Sequence, residues 1–152
     1  MIPIQDLFEV HLTVRDLDRA IAFYRDRLGL LVANVIPERG VAFFWLGAPG
    51  NAMLGLWSGG DGPQQLRLHT AFRVSPDDIV TAPRVLRAAG ITPLDFNGEP
   101  TDEPVVLAWM PALSLYFHDP DGNLLEYISM LPHPAQPERG VVKWSEWNIN
   151  HS

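Results

Sequence analysis

Three residues stand out for the chemistry they could carry: His11, His69 and Glu126. Each interrupts a stretch that alternates like a strand with one buried side. In "FEVHLTV", Phe8, Val10, Leu12 and Val14 alternate with Glu9, His11 and Thr13. In "LRLHTAFRV", Leu68, Thr70, Phe72 and Val74 alternate with Arg67, His69, Ala71 and Arg73. In "NLLEYIS", Leu124, Glu126 and Ile128 share a face. Two imidazoles and a carboxylate, with positions left open for water or substrate, form the ligand set of zinc hydrolytic sites and of non-haem iron oxygenases. That chemistry needs neutral imidazole nitrogens, an ionised carboxylate and rigid strands beneath them. The three positions are far apart in sequence. Periodicity alone therefore leaves open the alternative that each is a solvated or hydrogen-bonded residue of its own strand.

The elements that would position them come as a repeat. After Val14, Asp16 suits a helix N-cap, with Leu17, Ala20, Ile21, Tyr24 and Leu28 at helical spacing. After Val74, Ser75-Pro76-Asp77-Asp78 offers an N-cap, a proline at the first helical position and an acid at the third. Gly29 and Gly90 end the two helices. The matching strands, caps and glycines recur at an interval of about 60 residues. Pro83 should break the second helix, and a turn followed by a helix capped at Thr81 would accommodate it. Strands are expected over Leu30–Ile36, Val41–Leu46 and Ala52–Trp57, then over Ile91–Phe96, Leu113–His118 and Leu124–Ser129. "DPDGN" joins the last two as a hairpin, and "VVLAWMP" reads as an extra strand or a loop across a site mouth. Ser58–Gln65 and Asn97–Pro104 read as mobile loops. The fold class is α+β, βαβββ twice over. Residues 1–131 form one domain with modules of about 7–57 and 66–130, and residues 132–152 form a tail containing Trp144 and Trp147 that docks on the body or on a partner chain.

Bulk properties narrow the function classes. A 152-residue chain with 47% hydrophobic and 19% charged residues is globular. A net charge of −7 without a basic stripe argues against nucleic acid. No apolar run approaches the ~20 residues of a membrane span, and "MIPIQDLFEV" lacks a signal-peptide pattern. With no cysteine there is neither a disulfide nor a thiolate site, so a cytoplasmic location is expected and any metal would be held by His, Asp or Glu.

"HLTVRDLDRAIAFYRDRLGL", "HTAFRV" and "LSLYFHDPDGNLLEYI" resemble signature segments of the vicinal oxygen chelate superfamily, over Leu7 to Met130. That group contains glyoxalase I, fosfomycin-resistance thiol transferases, extradiol dioxygenases, methylmalonyl-CoA epimerase and bleomycin-binding proteins. The resemblance implies paired βαβββ modules in a cupped, half-open mixed sheet, and in many small members a homodimer. It implies one divalent ion (Fe, Mn, Zn, Ni or Co) on His11, His69 and Glu126. Glyoxalase I usually adds a fourth ligand, a glutamate, where this chain has Gly55. The serine-rich loop of the fosfomycin enzymes is absent from "AWMPALSLYF". Of the additional His and Tyr residues of extradiol dioxygenases, only Tyr116 and Tyr127 offer themselves.

Met53 and Trp57 share a strand face with Gly55 and would line a substrate pocket, with Trp45 and Trp109 as further candidates, whereas Phe43, Phe44 and Trp45 read first as core. Glu9 is either a general base or half of an ion pair with Arg67. The expected function is a metal-dependent enzyme, glyoxalase-like or dioxygenase-like, chelating a small organic substrate, with Glu126 and Glu9 as its catalytic carboxylates. The alternative is a non-catalytic protein that sequesters a small molecule or antibiotic.

Overall fold

The computed structural model describes residues 7–59 and 67–149. Most of the loop expected over Ser58–Gln65 thus lies outside the described residues. The chain divides into two compact units, one running to Leu68 and including Asp119–Asn123, the other His69–His118 with Leu124 onward.

The first unit runs β1 (Glu9–Val14), α1 (Leu17–Ala22), β2 (Leu31–Ile36), β3 (Val41–Leu46) and β4 (Ala52–Ser58). Its sheet has the order β1-β4-β3-β2, with β1 parallel to β4 and the other pairs antiparallel. Asp16 caps α1 by accepting from the Arg19 N–H at 2.9 Å. The helix then widens into a π turn over Phe23–Arg27, which buries Phe23 and Tyr24, and the chain leaves through Gly29 at φ +72°. Leu12, Val14, Tyr24, Phe44, Leu54 and Leu56 fill the core. The Tyr24 hydroxyl donates to Asp119 Oδ2 at 3.0 Å. Asp119 Oδ1 accepts from the Asp121 and Asn123 N–H groups, folding "DPDGN" on its own side chain, and Gly122 supplies the φ of +85° that the turn requires. Asp121 Oδ1 accepts from the Arg15 N–H at 3.0 Å and from Arg19 Nη2 at 2.9 Å.

The second unit runs β5 (His69–Arg73), α2 (Pro76–Ala88), β6 (Val105–Leu107), β7 (Ala112–His118), β8 (Leu124–Met130), β9 (Val141–Lys143) and α3 (Trp144–Ile149). Its sheet order is β5-β8-β7-β6-β9, with β5 parallel to β8. Ser75 caps α2 as expected, but the helix runs unbroken through Pro83. Pro83 is buried beside Ile79, Ala82 and Leu86, so its ring adds apolar contact where it removes a backbone donor. Thr81 caps nothing; its hydroxyl donates back to the Asp78 carbonyl at 3.0 Å.

The strand expected over Ile91–Phe96 does not form: Leu94 alone makes isolated bridges, to Pro100 and Tyr116. Pro93 lacks a donor there, and Asp95 Oδ1 takes the Asn97 and Glu99 N–H groups into a local turn, which also ties down the Asn97–Pro104 loop. The module's second strand is instead Val105–Leu107, from the "VVLAWMP" segment. Within the tail, β9 pairs with β6 and Trp147 is fully buried. Its indole donates to His133 Nδ1 at 3.2 Å under the Arg139 guanidinium. No described helix is long and apolar enough to cross a membrane.

Candidate functional site

In the first unit the parallel register sets Glu9 opposite Met53, His11 opposite Gly55 and Thr13 opposite Trp57. Alternation then places Glu9 and His11 on the face that carries Met53, Gly55 and Trp57. The His11 side chain is 41% exposed. Its ring lies on Gly55, where an added Cβ would come within 2.9 Å of Cδ2 and 3.0 Å of Nε2. Position 55 is therefore the bed of the imidazole. The ring stacks on Trp57 at 5.7 Å and 25°, and Phe43 meets it edge-on at 6.0 Å. Trp57 Nε1–H donates to His11 Nδ1 at 2.6 Å.

On the other edge, His11 Nε2 lies 3.0 Å from Glu9 Oε1. That oxygen is sealed from solvent and receives no well-aligned hydrogen bond among the described residues, so the contact is one of charge and proximity. The expected pairing of Glu9 with Arg67 gives way to this one. Arg67 precedes β5, outside the β1 ladder, and its guanidinium lies over Gly122, where an added Cβ would be 3.4 Å from Nε.

In the second unit the β7–β8 hairpin sets Tyr116 opposite Glu126, and β5 sets Ala71 opposite the same residue. His69 Nε2 lies 2.9 Å from Glu126 Oε2, while Ser114 Oγ donates to Oε1 at 2.5 Å. The Glu126 residue is 4% exposed, whereas the His69 side chain is 48% exposed. The carboxylate is thus buried and braced on one oxygen, with the other directed to an imidazole that reaches solvent. Tyr116 meets the His69 ring edge-on at 6.1 Å. Burial first, and then the neighbouring Glu126 carboxylate, push the Tyr116 hydroxyl up to about 12.

The structure therefore gathers His69 with Glu126, and His11 with Glu9 and Trp57. Among the described residues, no three His, Asp or Glu side chains form one group that could hold a metal. The donor chemistry of the second unit fits a divalent ion: such an ion takes an imidazole nitrogen and a carboxylate oxygen, and a hydroxyl on the other carboxylate oxygen holds the carboxylate in place. No hydrogen bond engages His69 Nδ1 among the described residues. His11 offers a second imidazole, partly exposed. Met53, Gly55 and Trp57 share the His11 face as expected, but Trp109 lies in the β6–β7 turn of the second unit and is 58% exposed.

A family model described as the Glyoxalase/Bleomycin resistance protein/Dioxygenase superfamily matches residues 6–127. The chain belongs to that superfamily. The β-α-β-β-β order of the first unit, and of the second through β8, matches the fold expected of this superfamily, with β9 and α3 added after it. Among solved structures, an integron cassette protein from the mobile metagenome of the Halifax Harbour sewage outfall is 31% identical, covers 84% of this chain and all of its own, and superposes with a TM-score of 0.69. A lactoylglutathione lyase from Agrobacterium tumefaciens is 24% identical over 83% of this chain and 94% of its own, with a TM-score of 0.63. A fosfomycin resistance protein from Listeria monocytogenes, solved with Mn(II) and sulfate, is 18% identical over 86% of this chain and 94% of its own, with a TM-score of 0.59. No curated protein matches the sequence significantly.

Two residues of this glyoxalase-superfamily site escape a reading of the strands. Ser114 is a lone hydroxyl in "ALSLYF", and counting the hairpin back from "DPDGN" would have set it diagonal to Glu126. Phe43 reads as core but lies opposite Gly55 and meets His11; only Phe44 of that trio is fully buried.

Proposed function

We propose that the protein is a divalent-metal-dependent enzyme of the glyoxalase/dioxygenase type, with His11, His69 and Glu126 as metal ligands, acting on a small organic substrate with vicinal oxygens. The observation that carries this reading is the His69–Glu126 pair. A carboxylate only 4% exposed is braced by Ser114 and aimed, at 2.9 Å, at the Nε2 of a solvent-reaching imidazole. A buried ionised carboxylate is costly unless paired, and a cation beside His69 would offset that cost. When bound, a divalent ion supplies Lewis acidity to the two substrate oxygens. The chain's own residues do the remaining work. Ser114 fixes Glu126 Oε1, Glu9 stands as a proton acceptor beside His11, and Met53, Gly55 and Trp57 form an apolar wall.

The Mn(II) of the Listeria neighbour supports a divalent metal. Gly55, filled by the His11 ring, weighs against a four-ligand lactoylglutathione lyase. A cytoplasmic homodimer accompanies this reading. The second reading, a non-catalytic binding protein, draws on the aromatic wall of Phe43 and Trp57 around His11.

Elemental analysis of tag-free protein purified without chelator separates the two. The enzyme reading expects about one metal per chain in the wild type and little in Glu126→Gln, with the fold intact by circular dichroism. Absence of metal in the wild type, even after resupply of each candidate ion, would favour the binding protein.

A further inference from the structure

The hydrogen bond that fixes His11 has the wrong polarity for a metal ligand. An indole N–H only donates, so His11 Nδ1, 2.6 Å from Trp57 Nε1, must accept. A neutral imidazole has one N–H, which therefore sits on Nε2, the nitrogen 3.0 Å from Glu9 Oε1. Turning the ring over would put carbon atoms against both the indole donor and the carboxylate, so the two contacts fix the same orientation. Ligating histidines ordinarily donate their second ring N–H to a carbonyl, a carboxylate or water, which frees the other nitrogen for the metal. Trp57 imposes the reverse. The arrangement is built rather than incidental: Gly55 leaves the bed for the ring, Trp57 stacks on it at 5.7 Å, and the Arg39 guanidinium covers the indole at 5.1 Å from its centroid.

We propose that Trp57 latches His11 in the tautomer that cannot ligate a metal, so that the indole must turn away before His11 enters a metal site. Trp57 is a positioning residue in this role, acting through His11. The inference deepens the metal-enzyme reading and rests on it for its consequence, but the latch itself is a property of the metal-free protein. Trp57 is only half-buried at the end of β4, so it can swing outward without opening the core. Loading would then meet a resistance set by one hydrogen bond.

The test uses the whole ¹⁵N-labelled, metal-free protein and long-range ¹H–¹⁵N correlation at about pH 8, where imidazoles are neutral. His11 is expected as the Nε2–H tautomer in the wild type and as a tautomer mixture in Trp57→Phe, which keeps the ring and removes the donor. Gly55→Ala is the second variant. Its methyl displaces the imidazole from the indole, so the preference should fall with Trp57 still present. Zinc alone, titrated against a competing chelator, should bind Trp57→Phe about fivefold more tightly than wild type, the factor one net hydrogen bond gives. An Nδ1–H tautomer in the wild type, or Trp57→Phe with the wild-type tautomer and zinc affinity, would overturn the latch. Zinc binding to neither protein, with Nε2–H held in the wild type and lost in Trp57→Phe, would uphold the latch and fell the metal-enzyme reading.

Discussion

Replacing Ser114 by Ala removes one oxygen from a buried position and little else, which makes it a clean probe of the Glu126 brace. Ser114 is fully buried, and its hydroxyl donates to Glu126 Oε1 at 2.5 Å. After substitution that oxygen stays buried in a residue 4% exposed, and leaving a buried acceptor without its partner costs at least about 1–3 kcal/mol. Tyr116, whose hydroxyl also interacts with Glu126, softens the loss, so we expect about 1.5 kcal/mol in the metal-free protein. For a chain of this length that corresponds to a fall in Tm of about 3–6 °C. Positioning adds a separate effect, because losing the partner of a ligating carboxylate typically weakens metal binding about 10- to 100-fold. Urea unfolding of metal-free protein reads the first effect, and zinc competition titration of folded protein reads the second. Ser114→Ala with wild-type stability and zinc affinity within twofold of wild type would refute the brace.

Tyr24→Phe deletes a bond to a carboxylate that keeps three other donors, from the Asp121 and Asn123 N–H groups and Asn123 Nδ2, so urea unfolding should register about 1.5 kcal/mol, near the low end for bonds to charged groups. Alkaline stability should fall from about pH 10 upward. Burial raises Tyr116 from its ordinary 10.0 to about 12, so the folded state holds a proton that the unfolded chain releases, and that stabilisation, complete below 10, is lost as pH climbs through 12. Tyr24 and Tyr127, both raised mainly by burial, act in the same direction, and chemical unfolding at stepped pH with Tyr116→Phe as reference isolates the Tyr116 share. Truncation after Leu131 strips β9 from β6 and removes fully buried Trp147, and Trp147→Ala alone should cost about 3–5 kcal/mol by thermal denaturation.

The strands were legible wherever one face alternated. Val41–Leu46 matches its expected bounds, and β1, β5 and β8 carry His11, His69 and Glu126 on the strands where alternation set them. Both N-caps were legible because Asp16 and Ser75 act locally. What failed depends on partners distant in sequence. The helix tolerates Pro83 because it is buried against the core, and no local signal reports burial. Ile91–Phe96 has a strand's composition, but Val105–Leu107 takes the place beside β7. Glu9 does not pair with Arg67; i, i+2 geometry on one strand puts it beside His11. The meaning of Gly55 could not be read from spacing, because it is set by the ring lying on it.

X-ray absorption at the zinc edge of zinc-loaded protein is the measurement that bears on the proposal that His11, His69 and Glu126 hold one divalent ion. About two imidazoles and oxygen donors are expected around the zinc, falling to one imidazole in His11→Ala and in His69→Ala. A shell without imidazole, or one unchanged by either substitution, would contradict it.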